Sequence, residues 1–218
     1  MIILSRGFAL SLILTLLSIN LAFTQEKKFK KQLAFYDYRG VHSVSGGGGI
    51  ALIDSDFIEQ ELRASFYIGY KFFVIEHLNV NLKFHKYALA YDSDFDTGFM
   101  SYDANIEFLP FPYSRFTPFI YAGYGYNTDD DFEISTGKIQ GGLGMEYIVT
   151  DKLGLKLYGE YNYTSDDELD GFVAGSNNDG FLRAGLGINF YFGGNNRKEE
   201  IMDNTDTVIK SNPIPIDN

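Results

Sequence analysis

The residues best suited to chemistry in this chain are charged side chains set within alternating, otherwise apolar segments. Successive side chains of a β-strand leave opposite faces, so each of these charges shares a face with small or polar residues and lies opposite an apolar face. Basic and acidic members together predict ion pairs in a space shielded from water. The set comprises Arg63, Lys71, Lys83, Lys156 and Arg183 with Asp103, Glu107, Glu146 and Glu160.

Two interpretations of this charged set follow from the size of the element that would hold it. If about eight strands close into a barrel, the interior is only wide enough for side chains to fill it. The favoured prediction is a structural network of salt bridges that blocks the lumen. The alternative is a gated ion pathway, which would make the chain a small pore.

An acidic segment, Asp92-Ser-Asp-Phe-Asp-Thr-Gly98, spaces its carboxylates like the start of a calcium loop. The EF-hand pattern requires Gly at its sixth position, where Thr97 stands, and Glu at its twelfth, where Asp103 stands. It also requires flanking helices, which the alternation around this segment does not predict. We therefore predict a solvated acidic loop and no metal site.

The three histidines of the chain are candidate catalytic groups. His42 and His77 fall near predicted strand ends or turns, and His85 falls on an inner face. A lipid-modifying enzyme could combine a histidine with a serine and an acid, but no serine lies at an obvious spacing from His85. Gly-x-Ser-x-Gly, His-Glu-x-x-His and P-loop motifs are absent. We predict no catalytic residue and no cofactor, with a lipid-modifying enzyme as the second alternative.

The elements that must position the charged set are strands of strict two-residue period. In the segment 181–192, Leu182, Leu186 and Phe190 share one face, whereas Arg183 and Asn189 share the other. A chain that repeats this pattern predicts an all-β, closed antiparallel transmembrane barrel with lipid outside and a polar lumen inside. The predicted strands are 42–53, 60–73, 78–91, 99–109, 116–127, 137–149, 153–164 and 180–192.

The rest of the chain is organised around this predicted barrel at 42–192. Residues 1–24 combine Arg6 with an apolar run and a small-residue cleavage site, which predicts a signal peptide. Residues 25–41 form a predicted periplasmic segment, within which 33–38 is an alternative first strand. The polar stretch 193–218 predicts a flexible periplasmic tail.

Composition narrows the class of protein further. The formal net charge of −11 argues against nucleic-acid binding, which normally shows a basic footprint. The 20 Phe and 16 Tyr suit aromatic girdles at the two membrane interfaces. Short connections at one end of the predicted strands and long acidic ones at the other are typical of outer-membrane barrels.

Two segments resemble a known family. Phe116-Thr-Pro-Phe-Ile-Tyr-Ala-Gly-Tyr-Gly125 is similar to the fifth strand of small OmpA-like barrels of the Bacteroidota. Gly187-Ile-Asn-Phe-Tyr-Phe192 resembles the signal at the end of their last strand. The resemblance implies that the barrel-assembly machinery recognises Gly187, Phe190 and Phe192.

A narrower resemblance covers mainly residues 99–192, including Glu146–Tyr163 and Asp167–Gly175. These stretches are similar to a barrel module that accompanies CsgG-type proteins of curli production. The chain has no lipobox cysteine and no separate secretion-channel domain, so the resemblance implies an accessory role. We thus expect a non-enzymatic protein of the outer membrane with a structural or surface-assembly role. Its expected partners are membrane lipids, lipopolysaccharide, the assembly machinery and curli secretion components, with no nucleic acid among them.

Overall fold

The computed structural model describes residues 29–54, 60–91, 95–130, 132, 135–164 and 180–203. Nine strands and two helices lie within these ranges. The strands are β1 (His42–Asp54), β2 (Gln60–Glu61), β3 (Arg63–Ile75), β4 (Leu78–Tyr91), β5 (Phe95–Phe108), β6 (Phe116–Asp129), β7 (Ser135–Thr150), β8 (Leu153–Thr164) and β9 (Gly180–Phe192); the helices are α1 (29–38) and α2 (Asn195–Asp203).

The strands close into an antiparallel barrel. The two-residue β2 and the longer β3 both pair with β4, so together they form one of the eight strands of the barrel. Closure is made by β1, which pairs with β3 on one side and along its whole length with β9 on the other, from His42 opposite Phe192 to Asp54 opposite Gly180. The predicted fold class is confirmed. A closed sheet leaves no strand edge unpaired, as a lipid environment requires.

The side chains on the two faces of each barrel strand differ in polarity and exposure, as the alternation predicted. On the outside, Ile68 and Leu186 are each 65% exposed, although both are large and apolar. On the inside, Arg183 is 1% exposed and Asn189 is fully buried. This inverts the arrangement of a soluble protein, and it fits a barrel surrounded by acyl chains.

The two ends of the barrel have different connections. One end, here called the turn rim, carries Glu76-His77, residues 109–115 and Asp151-Lys152. The opposite end, the loop rim, carries the other four connections between strands of the barrel, the longest of which joins β8 to β9; residues 55–59, 92–94 and 165–179 of these connections lie outside the described residues. Strand β5 begins at Phe95, and Thr97 pairs with Leu89 of β4, so the second half of the predicted acidic loop is strand.

Helix α1 closes the turn rim and overlaps the alternative first strand at 33–38, which was therefore wrong. Helix α2 occupies the start of the predicted flexible tail, and that part of the prediction was also wrong. Lys198 of α2 lies 2.6 Å from Asp37 of α1, and Ile201 packs against the interior cluster that α1 joins. Neither helix is long and apolar enough to cross a membrane. The predicted signal peptide lies outside the described residues.

Two glycines of the barrel provide a test of how closely neighbouring strands approach each other. A Cβ built on Gly49 would overlap the carbonyl oxygen of Ala184 on β9, whereas one built on Gly159 would have no atom within 4 Å. We expect Gly49→Ala to lower the free energy of unfolding by about 1 to 3 kcal/mol. Gly159→Ala is the matched control and is expected to be neutral or stabilising by up to about 1 kcal/mol. Urea titration of the folded barrel measures both, and equal effects would contradict the packing.

Candidate functional site

The lumen is filled at three levels, beginning with an apolar plug at the turn rim. Phe35 and Tyr36 of α1 are buried, and the Phe35 ring lies 5.2 Å, centroid to centroid, from that of Phe73. This plug, together with the aromatic side chains that continue from it toward the middle of the lumen, is here called the basal cluster. Its buried members are Phe35, Tyr36, Tyr67, Phe73, Leu109, Phe119, Tyr121, Ile148, Tyr158 and Tyr191.

Arg39, directly after α1, anchors the plug to the barrel. Its guanidinium donates to the Glu146 carboxylate, with Nε 3.0 Å and Nη2 2.8 Å from Oε2. Nη1 donates to the carbonyl oxygens of Pro112 at 2.7 Å and Ser114 at 2.9 Å. Burial opposes the charge of Arg39, but Glu146 and Tyr191 more than offset it, so the pKa of Arg39 is raised above its ordinary value. The guanidinium is therefore charged, and each of its three nitrogen atoms donates a hydrogen bond.

Lys152 holds the same segment from the β7–β8 turn. Its ammonium group donates to the carbonyl oxygens of Tyr36, in the last turn of α1, and of Arg39, directly after the helix. Burial lowers the pKa of Lys152, with Asp37 opposing and Lys198 reinforcing that change. A cation at the last carbonyls of a helix is favourable because those groups lack intrahelical donors.

Above the plug lies an ionic core, whose lower half centres on Glu107. Lys71 Nζ is 2.6 Å from Oε1 and Lys156 Nζ is 3.1 Å from Oε2 of this carboxylate. Asn79 donates to Oε1 at 3.1 Å, so both carboxylate oxygens have partners. The Lys156 ammonium also lies 4.2 Å from the centroid of Phe119, on the aromatic face.

The upper half of the ionic core centres on Arg183, which links two carboxylates. Its Nε is 2.6 Å from Glu160 Oε1, and its Nη2 is 2.9 Å from Asp103 Oδ2. Lys138 Nζ approaches Asp103 Oδ1 at 3.0 Å. Lys83 Nζ is farther from its carboxylate, 3.8 Å from Glu160 Oε2. All five side chains are buried.

An aromatic cap covers the ionic core toward the loop rim. The Tyr87 ring stacks between Phe99 at 5.8 Å and Phe181 at 5.1 Å. The Arg183 guanidinium lies 5.0 Å from the centroid of Tyr87, so the cap faces a cation. Its buried members are Ala51, Ile53, Tyr87, Leu89, Phe99 and Phe181. Apolar layers therefore enclose the ionic core on both sides.

Most of the predicted lumen charges lie together in this interior. Arg63 is the exception: it faces inward but lies near the loop rim, where it pairs with Glu61 at 2.9 Å and is 35% exposed. Two further lumen charges were not predicted. Lys138 lies on the same face of β7 as Glu146, and that alternation could have revealed it, whereas Arg39 lies outside the strands. The predicted members inside the lumen are Lys71, Lys83, Asp103, Glu107, Glu146, Lys156, Glu160 and Arg183.

His85 lies in the upper ionic core, stacked on Tyr67 at 5.3 Å. Its Nε2 is 3.5 Å from Asp103 Oδ2, and its ligand atoms, with those of Asp103 and Glu160, lie within 4.8 Å of one another. This spacing could suit a metal ion, but Arg183 already bridges the two carboxylates, and Lys138 and Lys83 border them. Three neighbouring cations make this donor set a poor fit for a divalent ion.

The structure also places a serine near His85, which the spacing in the sequence did not predict. Ser101 is its direct cross-strand neighbour, brought there by the register of β4 and β5. The Ser101 hydroxyl donates to Asp103 rather than to the imidazole, and all three side chains are buried. A nucleophilic triad requires the histidine between serine and acid, and this arrangement lacks that order.

The residues of the suggested assembly signal lie on both faces of β9. Phe190 and Phe192 are exposed on the outside near the turn rim. Gly187 faces inward, where the Tyr67 hydroxyl occupies the space that a Cβ would need. Gly187 therefore has a packing reason to be glycine, independent of any recognition.

Two aromatic girdles border the apolar outside of the barrel. One, at the turn rim, contains Phe72, Phe108, Phe116, Tyr147, Phe190 and Phe192; the other, toward the loop rim, contains Tyr102, Tyr124, Tyr126, Tyr161 and Tyr163. On β6, Phe116 and Tyr126 are ten residues apart, about 33 Å along the strand. A tilt of about 40 to 45° reduces this to about 25 Å along the membrane normal, the height of the apolar band in outer-membrane barrels.

A closed barrel with this exterior belongs in lipid, and the short turns and chain ends at one rim have the polarity of bacterial barrels. The chain is an outer-membrane β-barrel. Bacterial barrels have their short turns in the periplasm, which predicts that the turn rim and the basal cluster lie on the periplasmic side.

Among solved structures, Neisserial surface protein A supports the fold. Neisserial surface protein A is similar with a TM-score of 0.58 and 19% identity, covering 70% of this chain and 98% of that one. Ail of Yersinia pestis (TM-score 0.44, 17% identity) covers 70% of this chain and 99% of its own. The N-terminal barrel of Pseudomonas aeruginosa OprF (0.45, 14%) has the same coverage of both. No family model and no curated protein matches the chain.

Proposed function

We propose that this outer-membrane barrel is non-conducting and non-enzymatic, with a role in envelope structure or surface assembly. The observation that supports the proposal is the filling of its lumen by the basal cluster, the ionic core and the aromatic cap. Each level consists of buried side chains from several strands, and the charges of the middle level are held by multidentate pairs. A barrel of this size works as a rigid body that presents its outward connections and its lipid-facing surface.

A planar bilayer measurement tests the closed lumen. The purified full chain, inserted at low protein density, is expected to give no single-channel steps at moderate voltage. A large porin added to the same bilayer serves as the positive control for insertion and recording. Reproducible steps whose ion selectivity changes in Glu146→Gln would contradict the proposal in favour of a small pore.

Enzymatic modification of lipid is the competing activity, and the position of His85 argues against it. The ring faces the lumen and is buried, whereas the apolar outside carries the lipid contacts. Expression of the chain in a host with a defined lipid A is expected to leave the lipid A mass spectrum unchanged. A new mass that disappears in His85→Ala but persists in His77→Ala, the control at the turn rim, would contradict the non-enzymatic proposal.

The finer form of the proposal is an accessory role in curli production, and its support is the resemblance of residues 99–192. The partners would be curli secretion components at one membrane face, lipopolysaccharide around the apolar band, and the barrel-assembly machinery acting on Gly187, Phe190 and Phe192. Tagged protein isolated from native membranes is expected to retain secretion components that a tagged, unrelated eight-stranded barrel does not. Equal recovery by both barrels would remove the curli role and leave the structural one.

A further inference from the structure

Counted by formal charge, the ionic core contains more cationic than anionic side chains. Among the described residues its cations are Lys71, Lys83, Lys138, Lys156 and Arg183, and its carboxylates are Asp103, Glu107 and Glu160. Glu146 is matched below by Arg39, and Asp129 lies at the loop end of β6. Five cations against three anions leave two positive charges in excess. Uncompensated charge is costly in an interior shielded from water.

Lys83 is the least compensated member. Its contact with a carboxylate, to Glu160 Oε2 at 3.8 Å, is longer than a hydrogen bond. The same Oε2 already accepts the Tyr121 hydroxyl at 2.5 Å, and Oε1 accepts Arg183 Nε at 2.6 Å. The Lys83 ammonium lies among aromatic rings, 4.4 Å from the centroid of Tyr121 and 5.4 Å from that of Tyr158. Ring faces attract the ammonium but do not neutralise it.

Hydrogen-bond donors beside Lys83 lack acceptors. The hydroxyls of Tyr67 and Tyr158 and Nη1 of Arg183 are buried without a partner in the described lumen. The Tyr67 and Tyr158 rings meet edge to face, with centroids 5.4 Å apart. Their hydroxyls point at Gly187 and Gly185 of β9, where no side chain is available and the backbone lies in the strand ladder. Buried polar groups normally have partners.

We infer that the lumen holds one small monovalent inorganic anion of halide size beside Lys83, bound also by the hydroxyls of Tyr67 and Tyr158 and by Arg183 Nη1. One species then accepts from these three donors and halves the formal charge excess. A water molecule would accept the hydrogen bonds but leave the charge, and a metal cation would increase it. This inference is independent of the proposed function.

Bromide is the probe for this site, because it scatters anomalously and replaces chloride. The full chain is refolded from urea in sodium bromide, so that the ion enters before the lumen closes, and is then crystallised. We expect an anomalous peak within about 3.5 Å of Lys83 Nζ, a distance set by hydrogen-bond geometry. Anomalous density confined to the protein surface would overturn the inference.

Thermal unfolding in detergent supplies the second readout. Protein refolded in bromide is expected to unfold at least about 3 °C higher than protein refolded in gluconate, which is too large for the site. Lys83→Met is expected to abolish that difference. Lys86→Met is the matched control, because Lys86 on the outside of β4 pairs with Asp130 and should keep the full difference. Equal unfolding temperatures in both salts for the parent chain would overturn the inference, as would an unchanged difference in Lys83→Met.

Discussion

Replacing Glu107 by glutamine is expected to lower the free energy of unfolding by about 3 to 5 kcal/mol, among the largest effects of any single substitution in this barrel. The substitution keeps the volume but removes the one carboxylate between Lys71 and Lys156. The two ammonium groups would then face each other in the lumen without a carboxylate in contact with both. With a typical stability of 5 to 15 kcal/mol, such a loss threatens folding itself.

A second substitution, which removes a cation, is expected to change the stability in the opposite direction or not at all. Removing a cation from an overly positive core should relieve repulsion, so Lys83→Met is expected to be neutral or stabilising by up to about 1 kcal/mol in halide-free buffer. The carboxylate of Glu160 keeps Arg183 and Tyr121 as partners in that variant. A charge-balanced core would instead lose stability in both variants.

Urea titration of the barrel in lipid vesicles, followed by the heat-dependent shift in gel migration, measures both variants. The double substitution Glu107→Gln with Lys71→Met is expected to recover at least half of the loss, because one of the two stranded cations is gone. A Glu107→Gln barrel that is as stable as the parent would show that the ion pairs do not hold the lumen.

The walls of the barrel could be predicted from sequence because one physical constraint acts on every strand. Lipid on one side and a crowded lumen on the other force a two-residue period, and β9 shows it without a break. The same period assigns each charge to a face. It does not give the height of a residue along the barrel axis, which is why Arg63 was placed in the ionic core although it lies near the loop rim.

Contacts that depend on closure of the barrel and on strand register could not be predicted from the alternation in the sequence. Arg39 meets Glu146 across 107 positions in the chain, and only the closed barrel brings these residues together. Ser101 reaches His85 because a hairpin of defined register pairs β4 with β5. Part of helix α1 was predicted as an alternative first strand, and its role as a plug follows instead from the aromatic residues that it places inside the rim. The fold was thus predictable, whereas the composition of the lumen was only partly so.

Replacing Arg39 by methionine is expected to release the plug at the turn rim and to lower the free energy of unfolding by about 3 to 5 kcal/mol. Methionine retains part of the volume but leaves the Glu146 carboxylate without its cation in a buried site. It also leaves the carbonyl groups of Pro112 and Ser114 without the donor that now binds them. Both losses act on the same junction, where α1 meets the β5–β6 turn and β7.

Limited proteolysis separates release of the plug from general unfolding. In Arg39→Met, cleavage between α1 and β1 is expected to become much faster while the barrel still migrates as a folded species before heating. Lys198→Met is the matched control: it removes the exposed pair with Asp37, which is worth at most about 1 kcal/mol, and should leave both readouts close to those of the parent. If Arg39→Met retained a protected α1, the apolar contacts of Phe35 and Tyr36 alone would hold the helix, and the guanidinium would have no anchoring role.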